Sequence, residues 1–247
     1  MTTTARFAGK TIIVTGAGSG IGRVTAERIA AEGGRVVASD IDGARLATLA
    51  IGPAGVSVAG DLSAAGAAEA LIAACDGRLH GLANIAGVMD AFLPVGEVDD
   101  GTWDRVLAVN LTAVMRCTRA AVNLMLKGQG GAIVNVASEA ALRGSAAGAA
   151  YTASKHAVIG LTRNTAFMYR QAGIRANVVA PGAVRTGIAA TSRSERGGSA
   201  VGKVLAAFGP QVSEAEDQAA AITWLLSDEA KNVNGAVLAS DGGWSAL

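Results

Sequence analysis

Charged residues are scarce in this sequence: they make up 17 % of its 247 residues, and the formal net charge is only +1. There is no run of basic residues, so nothing indicates a nucleic-acid partner. Apolar residues reach 51 %, yet no apolar run approaches the roughly 18 residues that a membrane span needs. The N-terminal apolar stretch is also too short for a secretory signal. We therefore expect a cytoplasmic protein with a large core and no membrane partner.

Cysteine and histidine are rare as well, with two residues of each: Cys75, Cys117, His80 and His156. Two cysteines do not make a disulfide framework, so we expect free thiols on apolar helix faces. The sequence contains neither CxxC nor HExxH, and we therefore expect no metal site.

What the sequence does contain is an alternation of short Val/Ile/Ala-rich strands with helical segments. The predicted strands span 10–16, 35–40, 56–61, 81–87, 131–138, 174–182 and 236–240. The predicted helices span 20–34, 43–50, 64–75, 102–127, 151–173 and 214–227. Strands that are apolar at every position are buried on both faces, which predicts an α/β fold with a parallel, doubly wound sheet. The alternation breaks once, over 183–213, where we expect a long loop.

The first strand runs into the glycine-rich stretch "TGAGSGIG", residues 15–22. Glycines let backbone N–H groups approach a phosphate, and the start of the following helix adds about half a positive charge. The glycine spacing departs from GxGxxG, so its position between a strand and a helix carries the prediction of a dinucleotide site. An ordinary glycine-rich turn is the alternative.

Asp40 ends the second strand, 18 residues after Gly22. A carboxylate at this position accepts hydrogen bonds from the adenosine ribose hydroxyls and repels a 2′-phosphate. No Arg or Lys lies in the glycine turn, and Ile41 follows Asp40. We therefore predict NAD(H) as the cofactor rather than NADP(H). A role as a helix cap is the alternative for Asp40.

The stretch "YTASK" places Tyr151 and Lys155 one helical turn apart, on one helix face. To exchange protons at neutral pH, the tyrosine pKa has to fall from about 10 to near 7. One positive charge at about 4 Å supplies roughly that effect at an effective dielectric constant near 20. Ser138 ends the fifth strand and brings a hydroxyl for a substrate oxygen. Spacing alone leaves open that Tyr151 only packs and that Lys155 only extends to solvent.

Taken together, the motifs make the sequence resemble a classical short-chain dehydrogenase/reductase over essentially its whole length. The motifs that carry the resemblance are "TGAGSGIG", "GDL" at 60–62, "NIAG" at 84–87, "VNL" at 109–111, Ser138, "YTASK", "PGAVRT" at 181–186 and "SDGG" at 240–243. One departure is Ile85, where the family often has a second asparagine. The resemblance implies a Rossmann-like single domain over 1–247, with about seven strands in the order 3-2-1-4-5-6-7, and a homotetramer.

The resemblance also implies residue roles. Tyr151 is expected to be the general acid and base, Lys155 to lower its pKa and hold the nicotinamide ribose, and Ser138 to orient the substrate oxygen. Asn110 is expected to position a water that relays protons to Lys155. The other expected cofactor-binding residues are Gly16, Ser19, Gly20, Ile21, Asp40, Ile41, Asp61, Leu62, Asn84, Ala86, Gly87, Pro181, Gly182, Val184 and Thr186.

The expected substrate is a small-molecule secondary alcohol or ketone that is alicyclic or steroid-like. The substrate loop is placed at about 187–210, with an apolar pocket formed also by Met89, Phe92, Leu142 and Ile188 and a polar element from Glu139. Arg143, Arg193 and Arg196 are either contacts for an anionic substrate or ordinary solvent-exposed cations.

Two further functions stay open at this stage. The first is reduction of a 3-oxoacyl thioester on a carrier protein, against which Asp40 and the lack of a basic patch argue. The second is a non-catalytic NAD-binding sensor, which has no need of a tuned tyrosine.

Overall fold

The computed structural model describes residues 5–188, 191–208 and 211–246. Seven described strands form one parallel sheet in the order β3-β2-β1-β4-β5-β6-β7. In chain order they are β1 (Thr11–Thr15), β2 (Arg35–Asp40), β3 (Val56–Ala59), β4 (Gly81–Asn84), β5 (Gly131–Val136), β6 (Ile174–Pro181) and β7 (Val237–Ser240). The predicted fold class and strand order are therefore confirmed.

Helices cover both faces of the sheet. They are α1 (Gly20–Ala31), α2 (Gly43–Leu46), α3 (Ala67–Ala73), α4 (Asp100–Leu107), α5 (Val114–Met125), α6 (Ala149–Tyr169), α7 (Glu195–Phe208) and α8 (Ala215–Leu226). A π-helical segment, Ala108–Ala113, joins α4 to α5. Short 3-10 turns occupy Glu139–Ala141, Arg170–Ala172, Asp228–Ala230 and Trp244–Ala246.

Alternate residues of one strand enter opposite layers of the core. In β1, Ile12 and Val14 pack with α1 and α8 residues, whereas Ile13 packs against α3, α5 and α6. Each such buried aliphatic side chain stabilises the fold by about 1.5–3 kcal/mol. This burial on both faces is why central strands such as β1 and β5 are apolar through most of their length.

Two predicted elements differ from the structure. The segment 183–213 was expected to be a loop, but it contains the 14-residue helix α7, which buries Gly197 and Val201. The long helix predicted over 102–127 begins at Asp100 and is interrupted by the π-helical turn around Asn110. The parts of the predicted substrate loop at 189–190 and 209–210 lie outside the described residues.

Both cysteines are free and buried. Burial raises the pKa of each thiol, Cys75 and Cys117, to about 11. They are therefore inert core residues, as expected. Within the described ranges, no helix is both long and apolar enough to cross a membrane, and no group of three or more His, Cys, Asp or Glu side chains is arranged to hold a metal ion.

Candidate active site

The glycine turn lies at the carboxyl edge of the sheet, between β1 and α1. Ser19 is the N-cap of α1, and its side chain makes no capping hydrogen bond. Gly22 packs onto the turn so closely that a β-carbon would meet the Gly16 carbonyl oxygen at 2.1 Å. The start of α1 is thereby held against the end of β1, with its first N–H groups available to an anion, as a pyrophosphate requires.

Asp40 is fixed at the end of β2 by two backbone donors. Gly18 N donates to its Oδ2 at 2.9 Å, and Asp42 N donates to its Oδ1 at 3.0 Å. A β-carbon at Gly18 would lie 2.7 Å from the Asp40 carboxyl carbon, so only glycine allows this approach. The helix cap of α2 is Asp42, which accepts from Ala44 N and Arg45 N. The carboxylate of Asp40 is thus oriented by the glycine turn and does not itself cap α2.

A cleft of about 530 Å³ runs along this edge. The predicted cofactor residues that line it are Gly16, Ser19, Gly20, Ile21, Asp40, Ile41, Asp61, Leu62, Ala86, Gly87 and Thr186. Three features of this cleft fit a dinucleotide in extended form. They are the glycine turn, the unpaired N–H groups at the start of α1 and the carboxylate at the end of β2. The residues present therefore suit the cofactor that the sequence implies.

Sequence reasoning missed two arginines in this cleft. Arg45 lines it and forms an ion pair with Asp42, Nε to Oδ2 at 3.1 Å. Arg105 lines it and donates to the Met89 carbonyl at 3.1 Å. Arg45 lies only five residues after Asp40, a proximity that the sequence does show, whereas Arg105 arrives from α4 through the tertiary fold.

Asn84 does not face the cleft with its side chain, contrary to expectation. Its amide nitrogen donates to Asn135 Oδ1 at 2.8 Å and to Thr118 Oγ1 at 3.2 Å, and the residue is buried. A buried amide needs such partners, and the neighbouring strand and α5 supply them. The Asn84 side chain therefore ties β4 to β5 and α5.

The remaining predicted cofactor residues follow the end of β6. Pro181 pairs in register with Ser240 of β7, and a β-carbon at Gly182 would lie 2.9 Å from Asp241 Cβ. Val184 forms an isolated parallel bridge with Ser213. This segment leads to Thr186, which does line the cleft.

Tyr151 and Lys155 lie on one buried face of α6. The Lys155 Nζ is 5.5 Å from the centroid of the Tyr151 ring and donates to the Val136 carbonyl at 2.9 Å. Ser138 follows β5, and its Oγ accepts from Ala140 N at 3.1 Å. Because that bond uses a lone pair of the hydroxyl, the Ser138 proton stays free to be donated.

The protein's own groups raise the tyrosine pKa rather than lowering it. Burial raises the pKa of Tyr151 to about 12, the Ser138 hydroxyl counteracts this in part, and the charge of Asp90 adds to the rise. Burial also lowers the pKa of Lys155 to about 8. Removal from water disfavours the charged forms of both side chains, and the lowering of the Tyr151 pKa by Lys155 stays a prediction.

Asn110 lies in the π-helical turn, and its side chain is bonded to the chain after β4. Its Oδ1 accepts from Val88 N at 2.8 Å, and its Nδ2 donates to Val88 O at 2.9 Å and to Ser154 Oγ at 3.3 Å. A β-carbon at Gly87 would lie 3.3 Å from Asn110 Oδ1 and 3.4 Å from Lys155 Nζ. The structure thus brings Asn110 and Lys155 together beside the cleft.

A second cavity of about 350 Å³ lies between the start of α6 and α7. Its lining is Phe92, Pro94, Gly144, Ser145, Ala147, Gly148, Ala149, Thr152, Gly197, Ala200, Val201 and Val204. Of the other side chains expected at the substrate, Met89 and Ile188 line the cofactor cleft, whereas Leu142 is 39 % exposed on a short turn. This second cavity is lined mainly by small and apolar side chains, and α7 forms one of its walls.

The side chains that were expected to make polar or charged contacts with the substrate instead contact other residues of the protein. Glu139 is fully buried, and its Oε1 lies 2.6 Å from Arg143 Nε. Burial raises the pKa of Glu139, and Arg143 opposes that rise. Arg193 pairs with Asp99 at 3.3 Å, and Arg196 lies 3.8 Å from Glu97. These three arginines therefore bind carboxylates of the same chain, as in the simpler of the two interpretations.

Comparison with known proteins shows the family to which the chain belongs. The family profile described as short chain dehydrogenase matches residues 10–197. The chain is 40 % identical over 251 residues to 3beta-hydroxysteroid dehydrogenase 2 of Eggerthella lenta, covering 97 % of this chain and 96 % of that protein. The chain therefore belongs to the short-chain dehydrogenase/reductase family of oxidoreductases.

Solved structures show the same fold. The crystal structure of levodione reductase superposes with a TM-score of 0.87 at 33 % identity, covering 98 % of this chain and 99 % of that one. A protein from Beutenbergia cavernae, named as an NAD(P)-dependent gluconate 5-dehydrogenase and containing NADP at low occupancy, superposes with a TM-score of 0.84 at 35 % identity. The superposition covers 97 % of this chain and 98 % of the Beutenbergia cavernae protein.

Proposed function

We propose that this protein is an NAD(H)-dependent oxidoreductase that interconverts a secondary alcohol and a ketone, with Tyr151 as the general acid and base. The observation that carries the proposal is the convergence of Tyr151, Lys155 and Ser138 at the sheet edge beside the dinucleotide cleft. A tyrosine that merely packs needs neither a buried ammonium nor a serine hydroxyl beside it.

Each of these side chains has a role in moving a proton at the substrate oxygen. The ionised Tyr151 phenol takes the alcohol proton during oxidation, and the neutral phenol donates it to the carbonyl oxygen during ketone reduction. Ser138 can donate its hydrogen to the same oxygen, because the bond from Ala140 N occupies a lone pair of Oγ and leaves the O–H available. A nicotinamide cofactor, when bound, supplies the hydride chemistry and, in its oxidised form, a positive charge next to the phenol.

Lys155 carries the positive charge that favours the ionised form of the Tyr151 phenol. Although burial lowers the pKa of Lys155 to about 8, this value leaves the ammonium largely protonated at pH 7. One of its three N–H groups is used by Val136 O. The others are free for ribose hydroxyls, which is the positioning role we assign to this side chain. Asn110, held by Val88, is placed to order a water beside it.

The cofactor preference rests on Asp40. Its carboxylate is oriented by Gly18 N and Asp42 N at the end of β2, and it lines the cleft where the adenosine ribose is expected. This negative charge disfavours a 2′-phosphate. The relative from Beutenbergia cavernae contains NADP, so the preference has to be measured for this chain.

The proposed substrate is an alicyclic or steroid-like secondary alcohol or the corresponding ketone. The cavity of about 350 Å³ beside α6 is lined mainly by small and apolar side chains, which suits a bulky apolar body. The similarity to a protein named as a 3beta-hydroxysteroid dehydrogenase supports the same class of substrate.

Steady-state kinetics on a substrate panel tests the reaction class. The protein is mixed with NAD or NADP and with linear, alicyclic and steroid secondary alcohols, and in the reverse direction with ketones and a 3-oxoacyl thioester. We expect formation of reduced cofactor with NAD and an alicyclic or steroid alcohol. Turnover of the thioester alone would contradict the proposal, and so would tight NAD binding without turnover of any alcohol or ketone, which a sensor would show.

Assembly and location belong to this proposal too. We propose a cytoplasmic homotetramer built from single-domain subunits. Support for self-association comes from α6, which leaves Phe167 64 % and Met168 62 % exposed. Exposed neighbouring apolar side chains of this size are typical of surfaces between subunits. Light scattering coupled to size exclusion measures the mass directly.

A further inference from the structure

A buried carboxylate outside the predicted site caps the helix that bears Tyr151. Asp90 lies in the segment between β4 and α4 and has no exposed surface. Its Oδ2 accepts from Tyr151 N at 2.9 Å, and its Oδ1 accepts from Gly148 N at 3.2 Å and from Phe92 N at 3.1 Å. All three partners are backbone donors, so both oxygens of the carboxylate are needed as acceptors.

The capping group comes from a distant part of the chain because the helix does not provide its own. The N-cap of α6 is Gly148, which has no side chain. A β-carbon there would lie 2.5 Å from Asp90 Oδ2 and 2.5 Å from Leu93 N. Only glycine allows Asp90 to reach the first turn of α6, where unpaired N–H groups and the helix dipole favour an anion.

The segment after Asp90 is held in a strained conformation. Ala91 and Phe92 have φ values of 55° and 57°, in the left-handed region that costs about 1–3 kcal/mol per residue. Two backbone bonds fix it: Ala149 N donates to Leu93 O at 2.9 Å, and Arg193 N donates to Ala91 O at 3.0 Å. The loop therefore contacts both the start of α6 and the chain that enters α7.

We propose that Asp90 is a positioning residue for the reaction, which places Tyr151 by capping its helix and brings a carboxylate charge to the backbone of the residue that bears the phenol. The proposal rests on the proposed function, because it acts through the proton transfer of Tyr151.

Three elements present charged or hydroxyl groups to the Tyr151 phenol. Asp90, from the loop after β4, raises its pKa, and the Ser138 hydroxyl, after β5, lowers it. Lys155, on α6 itself, has its Nζ 5.5 Å from the ring centroid. With Asp90 neutralised, the phenol ionises at a lower pH, whereas a purely structural cap would leave the pKa of the phenol unchanged.

Amide hydrogen exchange on the wild-type protein tests the cap without any turnover. An N–H in the first turn of a helix is ordinarily unpaired and exchanges fast. We expect the Tyr151 and Gly148 amides to be protected about as well as those in the middle of α6. Exchange at the rate of an unpaired amide would overturn the cap. This result stands even if no substrate is found, so it is independent of the proposed reaction.

The Asp90→Asn variant tests the effect on the reaction. An asparagine keeps one acceptor oxygen but turns an NH₂ group toward a backbone donor. We expect kcat to fall roughly tenfold, because Tyr151 is less well positioned. We also expect the acidic limb of the pH profile of kcat for alcohol oxidation to move to lower pH by about half a unit or more. Asp217→Asn, which removes a carboxylate from the capping box of α8, is the matched control and should leave the limb in place.

A measurement on the phenol completes the test. The chain has only two tyrosines, so ¹³Cζ labelling gives two signals, which Tyr169→Phe assigns. In Asp90→Asn the Tyr151 signal should begin to titrate at lower pH than in the wild type. An unchanged titration and an unchanged limb would refute the charge effect and leave a structural role alone. If Asp90→Asn does not fold, the wild-type amide exchange decides the question of the cap, and an unprotected Tyr151 amide refutes it.

Discussion

Asp40 shows how one side chain couples local geometry to cofactor choice. The carboxylate is held by Gly18 N and Asp42 N, so its orientation is set before a cofactor binds. Arg45, in the same cleft, is paired with Asp42. The proposal that the site disfavours a 2′-phosphate therefore rests on an oriented carboxylate beside an arginine that already has a carboxylate partner.

Replacing Asp40 by serine should reverse the cofactor preference. Loss of charged hydrogen bonds to the ribose, each worth about 1.5–3 kcal/mol, should lower kcat/KM with NAD by roughly 10- to 100-fold. Efficiency with NADP should rise, because Arg45 can then meet the phosphate. The measurement is kcat/KM with both cofactors for the wild type, Asp40→Ser, and Asp40→Ser combined with Arg45→Ala. An unchanged ratio in Asp40→Ser would show that the carboxylate does not select the cofactor.

At the residue scale, sequence motifs found the groups that touch a ligand better than those that support them. The glycine turn, Asp40, Tyr151 and Lys155 each stand at a motif position and lie where expected. Asp90 was missed because its partners Gly148 and Tyr151 lie 58 and 61 positions further along the chain and meet it only in the folded protein. Likewise, the burial that raises the Tyr151 pKa is a tertiary property that spacing does not contain.

At the scale of elements, α7 is the main difference between expectation and structure. Its segment is rich in Gly, Ser and Arg, which favours a loop, but Val201, Val204, Leu205 and Phe208 recur at helical spacing. That recurrence was the available signal. By contrast, the π-helical turn at Ala108–Ala113, which packs against α6, has no sequence signature of this kind.

Two glycines of α7 provide a matched test of how this helix docks. A β-carbon at Gly197 would fall 1.9 Å from the Phe92 carbonyl oxygen, whereas one at Gly202 meets nothing within 4 Å. Gly197→Ala should destabilise the protein by about 1–3 kcal/mol and raise KM for the alcohol, since α7 walls the substrate cavity. Gly202→Ala should be neutral or stabilise by up to about 1 kcal/mol.

Thermal unfolding and substrate kinetics on both variants give the answer. Equal effects of the two substitutions on melting temperature and KM would contradict the close contact between α7 and Phe92. A lower melting temperature and a higher KM in Gly197→Ala alone would support this contact. Both positions lie in the same helix, so the intrinsic preference of a helix for alanine over glycine is the same in the two variants.

At the scale of the whole molecule, one parallel sheet explains why distant motifs meet. The ends of β1, β2, β4, β5 and β6 lie along one edge, so the glycine turn, Asp40 and Ser138 converge although they are far apart in sequence. Continuous apolar strands that alternate with helices predicted the parallel sheet, whereas its strand order was implied by the resemblance to the short-chain dehydrogenase/reductase family. The extent of a single domain over 1–247 stays a prediction.

The most direct measurement for the account as a whole is the turnover of Tyr151→Phe beside Tyr169→Phe. Both variants remove one phenolic hydroxyl from α6, but only Tyr151 lies beside Ser138 and Lys155. The account predicts that kcat for alcohol oxidation falls by about 10²- to 10⁴-fold in Tyr151→Phe, with NAD binding retained, and that Tyr169→Phe stays near the wild type. Wild-type turnover in Tyr151→Phe would contradict it.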